Sequence, residues 1–170
     1  MTASNFDACL AFTLDAEGGF VDNPDDPGAA TNMGITQATY AAWLGRPVTV
    51  EEVRALPKVI AGQIYKTNYW NAVSGDVLPT GVDLMVFDFG VNAGTGTSAK
   101  RLQGFLNVTQ DGVIGPQTLD AVKNYEPALL IKWLGASQQN YYQQLGMPEF
   151  LSGWLTRTKE RTTRALEMAA

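Results

Sequence analysis

Asp15-Ala16-Glu17-Gly18-Gly19-Phe20-Val21-Asp22-Asn23-Pro24-Asp25-Asp26-Pro27-Gly28-Ala29-Ala30-Thr31-Asn32-Met33-Gly34-Ile35-Thr36 joins the end of an apolar helical pattern to a loop dense in Asp, Pro and Gly. Upstream of it, Phe6, Cys9, Leu10, Thr13 and Leu14 recur at three- and four-residue steps, and the next step lands on Glu17. Glu17 therefore points toward the apolar side at the end of a first helix, expected over residues 4–17 with Ser4 or Asn5 as cap. A carboxylate in that position is disfavoured when ionised, both by burial and by the negative end of the helix dipole. A carboxyl group so placed is the kind of group a general acid requires. Gly18 and Gly19 then end the helix.

Pro24, Pro27 and Gly28 forbid continued helix, and Val21 with Met33-Gly34-Ile35 suits a short hairpin. Asp22, Asp25 and Asp26 are turn formers that hydrogen-bond nearby backbone N–H groups, and any one of them could supply a second carboxylate. The prolines interrupt the alternation of a calcium loop, and no Glu stands at its closing position, so no metal site is expected.

The rest of the composition narrows the chemistry. The 170 residues suffice for one domain with a real core, and 45% hydrophobic with 17% charged residues is an ordinary globular balance. Nothing approaches a run of roughly 18 apolar residues, and the first residues lack the basic and apolar regions of a secretory signal. Synthesis in the cytoplasm without a signal peptide is the expectation, with any action outside it following release. A net charge of −5 argues against a nucleic-acid groove. The single cysteine, Cys9, belongs to the apolar stripe as a core residue. There is no histidine, which excludes Ser-His-Asp and Cys-His catalysis, His-ligated zinc and His proton shuttles. Catalysis must run on carboxylates, hydroxyls, amides or Lys, with no cofactor.

Outward from the opening stretch, Thr36 reads as the cap of a helix that Gly45-Arg46-Pro47 ends, and Thr49 as the cap of a second short one. Pro57 opens a third, from Val59 to about Tyr69. Tyr65, Tyr69 and Trp70 form an aromatic cluster, core in the plain reading, although an open carbohydrate cleft would use some of them as stacking platforms. From Pro79 or Thr80 onward, Val82, Leu84, Met85, Val86, Phe87, Phe89 and Val91 leave little polar surface, so this segment is the buried central helix. Asp88 inside it calls for a donor such as Arg or Asn. Further helices are expected from Thr97, from Thr118, over 129–145 and over 150–168, with turns at Asp111-Gly112 and Gly115-Pro116. A linker candidate near 107–110 divides residues 1–106 from a helical lobe, 107–170, that packs on them and shares their core.

Five ordered motifs resemble glycoside hydrolase family 108. They are Glu17-Gly18-Gly19-Phe20 with Asp26-Pro27-Gly28 and Thr31-Asn32-Met33-Gly34-Ile35-Thr36; Tyr65 to Trp70; Phe87 to Gly94; Leu102-Gln103 through Asp111-Gly112-Val113-Ile114-Gly115-Pro116-Gln117-Thr118; and Phe150 to Arg157. The family comprises N-acetylmuramidases of phage lysis cassettes and bacterial secretion systems, and the fourth motif is similar to the peptidoglycan-binding segment that follows their catalytic part. Phe20 stands where many members have Tyr. The resemblance implies a mainly α, lysozyme-like α+β fold with a small hairpin beside the active-site cleft and a C-terminal helical lobe. It also implies Glu17 as the acid.

On that reading the chain cleaves the β-1,4 bond between N-acetylmuramic acid and N-acetylglucosamine, as a monomer acting in the periplasm or wall after delivery by a holin or secretion system. Asp26 and Thr31 join Glu17 as catalytic residues, because the Glu, Asp, Thr order resembles phage-type lysozymes, which invert. Asp22 or Asp25 could displace Asp26, and Asn32 could take the place of Thr31. Asn32, Asn92, Tyr69 and Trp70 are the expected substrate contacts. A lytic transglycosylase, needing one acid and leaving 1,6-anhydro ends, and a non-catalytic peptidoglycan-binding scaffold are the rival functions.

Overall fold

The structure, a computed structural model, describes residues 5–22 and 30–170. Its helices are α1 (Phe6–Glu17), α2 (Gln37–Leu44), α3 (Val50–Arg54), α4 (Lys58–Tyr65), α5 (Val82–Ala93), α6 (Thr95–Leu106), α7 (Pro116–Val122), α8 (Pro127–Gln144) and α9 (Pro148–Ala169). Two short strands, β1 (Thr31–Asn32) and β2 (Ile35–Thr36), form an antiparallel hairpin. This is the mainly helical, lysozyme-like α+β architecture with a C-terminal helical lobe. The chain divides into two compact units, Leu10–Thr67 and Met1–Cys9 with Asn68–Ala170.

In the unit of residues 10–67 the local signals decide the elements. Thr31 pairs with Thr36 and Asn32 with Ile35, so Met33 and Gly34 are left as a two-residue turn. Both have left-handed φ values, 50° and 73°, the conformation that matches the twist of the flanking strands. Val21 pairs with Thr31 through two backbone bonds of 2.8 Å rather than with the Met33–Ile35 segment. The register follows from the tight turn, which occupies the residues expected to be strand. The Thr36 hydroxyl accepts from the Thr39 N–H at 3.1 Å to start α2, and Gly45, at φ 67°, ends it. A reciprocal capping box between Thr49 and Glu52 starts α3.

The second unit is built around α5, where every residue from Val82 to Gly90 is buried. Helices α6, α8 and α9 pack on it, and α8 packs on α9. Gly81 marks a point of close approach, because a β-carbon there would overlap the Ala165 carbonyl oxygen. Asp83, buried at the start of α5, accepts from the N–H groups of Gly81 and Leu84 and from the Asn5 amide at 2.8 Å. Burial raises its pKa, and those three bonds oppose the rise.

Asp88 has the arginine donors its position demanded. Arg157 Nη2 reaches Oδ1 at 2.7 Å and Arg161 Nε reaches Oδ2 at 2.7 Å. Arg161 also donates to Gln138 Oε1, and Gln138 donates to the Met85 carbonyl at 2.9 Å. One buried carboxylate thereby joins α5, α8 and α9 by polar contacts.

The expected helix from Val59 to Tyr69 is interrupted. After Tyr65 the backbone widens into a π-helical turn, Lys66–Trp70, and then tightens into a 3-10 turn, Asn71–Val73. Among the described residues, no helix is long and apolar enough to cross a membrane.

Candidate active site

Glu17 is the last residue of α1 and is half-buried, on the face that also carries buried Phe6, Cys9 and Thr13. Gly18 follows at φ 75°, so the chain leaves the helix sharply and Glu17 stays at its end. The carboxylate lies against the hairpin turn. A β-carbon on Gly34 would fall 2.8 Å from Glu17 Oε2 and 2.5 Å from the Tyr65 hydroxyl oxygen. The bare Cα of Gly34 therefore lets a carboxylate and a phenol converge on one side of the turn. Tyr65, buried at the end of α4, donates its hydroxyl proton to the Met33 carbonyl at 2.9 Å and fixes the turn from below.

The turn is anchored from a second direction. Asn32 Nδ2 donates to the carbonyls of Val53 and Arg54, each at 3.0 Å, at the end of α3. The Arg54 guanidinium sits 4.0 Å from the centroid of Phe20, three residues beyond Glu17. One helix end thus holds both the segment leaving α1 and the strand returning from the loop. Such a frame keeps the Glu17 carboxyl at a defined position beside the turn.

The expected site residues fare differently. Thr31 is half-buried in β1, two residues before the turn that meets Glu17. Asp22 is exposed, while Asp25 and Asp26 lie outside the described residues. Asn32 does not suit a donor role toward sugar, because both of its donors are committed to Val53 and Arg54 and the residue is only 9% exposed. It positions the hairpin instead. Trp70 is also corrected: its ring is wholly buried, edge-on to Phe6 and Phe87, and its indole N–H donates to Asp76 at 2.9 Å. A ring without exposed surface cannot stack on a sugar.

Tyr69 is half-buried and Asn92 exposed at the end of α5, where its amide donates to the Tyr142 hydroxyl at 3.4 Å. Both belong to the other compact unit, whereas Glu17, Thr31 and Asn32 belong to the unit of residues 10–67. The sequence reading had Gly34 only within a family motif and Tyr65 only as core or a possible stacking platform. The two-residue spacing between β1 and β2 was the available signal for Gly34; the Tyr65 hydroxyl's place on the turn is set by tertiary packing.

A lysozyme-like fold with a helix-end carboxylate seated on a hairpin turn defines a glycosidase class, and the comparisons with known proteins agree. The family described as glycosyl hydrolase 108 matches residues 10–94, and a family described as a predicted peptidoglycan domain matches residues 98–159. The structure of Brucella abortus SagA is 42% identical in sequence and superposes with a TM-score of 0.84, over 97% of this chain and 95% of that one. No curated protein matches. The chain belongs to glycosyl hydrolase family 108.

Proposed function

We propose that this protein is a peptidoglycan hydrolase, an N-acetylmuramidase that cleaves the β-1,4 bond between N-acetylmuramic acid and N-acetylglucosamine. The observation that carries the reading is the seat of Glu17, a half-buried carboxylate at a helix end held against the Gly34 turn. Family membership supports glycoside hydrolysis, and the match over residues 98–159 supports peptidoglycan as the substrate. The wall is then its place of action.

Glu17 protonates the glycosidic oxygen as the bond to the anomeric carbon breaks. Asp26, with Thr31 as helper, orients a water on the opposite face of the sugar and takes its proton as it attacks, which inverts the anomeric carbon. That geometry calls for carboxyl groups roughly 6.5–9.5 Å apart, against about 5–5.5 Å in a retaining pair. The product is an α-configured reducing end. Residues 1–106 would carry this chemistry and residues 107–170 the hold on the wall.

Purified sacculi incubated with the protein test the whole reading. New reducing ends with an α-anomer in the first product support it; 1,6-anhydro ends would reassign the chain to lytic transglycosylation, and no new ends would leave it a binding protein. Glu17→Gln keeps size and shape but removes the transferable proton, and should lower the rate by about 100- to 10,000-fold. Wild-type turnover by a folded Glu17→Gln protein would remove Glu17 from the mechanism.

A further inference from the structure

Helix α6 has an outward face that the proposed hydrolysis does not use. Thr97, Lys100, Arg101 and Gly104 recur at three- and four-residue steps on it, while Ser98, Ala99, Leu102, Gln103 and Leu106 are buried. With Gln110 and Trp133 those four residues line a cleft of about 410 Å³. We infer that this cleft binds the carboxylate-bearing stem peptide of peptidoglycan, with Lys100 and Arg101 on the carboxylates and the Trp133 ring as the wall against which the peptide lies. The inference rests on the reading that the chain acts on peptidoglycan, and it adds which part of that polymer is held and where.

Charge is the first argument. In a chain of net charge −5, two adjacent cations share this cleft, and among the described residues neither has a carboxylate within ion-pair distance. The acid whose field reaches Lys100 is Asp111, and its Oδ1 already accepts from Gln103 at 2.7 Å and from the Val113 N–H at 2.9 Å. Those bonds hold the Asp111 carboxyl below its ordinary pKa and keep it in the loop, where its charge offsets part of the Lys100 field without forming an ion pair. A glycan strand is neutral along its sugars, whereas its stem peptides carry free carboxylates. Two adjacent cations without an ion-pair partner therefore favour the peptide over the bare glycan.

Shape and rigidity agree. Trp133 packs on Phe105 with ring centroids 4.7 Å apart, and Phe105 packs on Tyr125 at 5.1 Å, so the aromatic wall is held by its own neighbours. Arg101 rests 5.3 Å from the Tyr141 ring centroid, which restricts its guanidinium before any ligand arrives. On the inner side of α6, Gln103 ties down the bordering loop by donating to Asp111, Val113 and Thr118 and accepting from the Gly112 N–H.

The test uses the full chain carrying Glu17→Gln, so that nothing is hydrolysed. The ¹⁵N-labelled protein is titrated with two probes, the stem peptide L-alanyl-γ-D-glutamyl-meso-diaminopimelate and the peptide-free glycan chitotetraose. The Trp133 indole N–H is assigned by a Trp133→Phe protein. The stem peptide should shift that signal and the Arg101 Nε–H, more weakly at high salt. The exposed change Lys100→Gln combined with Arg101→Gln should weaken binding about tenfold. No shift with peptide, or a chitotetraose shift at Trp133 that the double change leaves intact, overturns the inference. The two readings fail separately: wall hydrolysis with a silent Trp133 removes this site alone, and peptide binding here without hydrolysis by the wild-type chain removes the muramidase alone.

Discussion

Gly34 and Glu17 meet so closely that a β-carbon on the glycine would sit 2.8 Å from the carboxylate Oε2 and 3.0 Å from Cγ. The turn and the proposed acid therefore cannot be moved independently. Gly34→Ala brings two penalties, a left-handed φ of 73° costing about 1–2 kcal/mol and a methyl group that must displace Glu17 or Tyr65. Gly45 supplies the control, with φ 67° and nothing within 4 Å of its virtual β-carbon. Both alanine proteins should lose stability by thermal melting, Gly34→Ala the more, and only Gly34→Ala should lose wall hydrolysis, by about 100-fold or more. Equal activities in the two would detach the turn from the chemistry.

The buried carboxylate of α5 makes a stability prediction with an internal order. Asp88→Ala leaves Arg161 wholly buried without its carboxylate, and breaking a buried pair in this way typically costs about 3–5 kcal/mol. Arg161→Met should cost less, because Asp88 keeps Arg157. Arg157→Met should cost least, since that side chain is 14% exposed and solvent already shares its charge. Urea denaturation of the three proteins reads the order directly, and a most stable Asp88→Ala would invert the account.

Acid should loosen the start of α3. The Arg46 guanidinium, followed by the Thr49 N–H, holds the Glu52 carboxyl down to about 2. A depressed folded-state pKa gives stabilisation that is present above the unfolded value and is lost as pH falls toward the folded one, so the capping box weakens below roughly pH 4.3. Side-chain carboxyl NMR should show Glu52 titrating near 2 and, in Arg46→Gln, moving back toward the ordinary range. An unchanged titration there would remove Arg46 as the cause.

What could be read from the sequence follows how local each cause is. The caps Thr36, Thr49 and Gly45 act within one turn of helix, and all three stand where the residue types placed them. Glu17 fell on the apolar face because a helix has one period throughout. The need of Asp88 for a cation was equally plain, but its partners lie 69 and 73 residues away and no local pattern names them. Trp70 went the other way. Beside Tyr69 it read as a possible platform, and only packing by Phe6 and Phe87, distant in sequence, makes it core. The π-helical turn that places it there has no distinctive residue pattern, since Lys66–Trp70 contains nothing that forbids an ordinary helix.

The same long-range dependence governs where the chain can be cut. The two family matches meet between residues 94 and 98, at the junction of α5 and α6, yet both helices belong to one compact unit. A fragment ending at residue 106 keeps α5 but loses α8 and α9, which pack on it. It also loses Arg157 and Arg161 from Asp88, Gln138 from the Met85 carbonyl, and Ala165 from the close approach at Gly81. Leu84, Met85 and Phe89, none of them exposed in the whole chain, are then left on a helix stripped of two packing partners, with an uncompensated carboxylate among them. Residues 1–106 alone should therefore be insoluble or lack a cooperative thermal transition, whereas the whole chain should melt cooperatively. A soluble 1–106 fragment that melts sharply and cleaves sacculi at the full rate would show that α5 does not need its C-terminal partners.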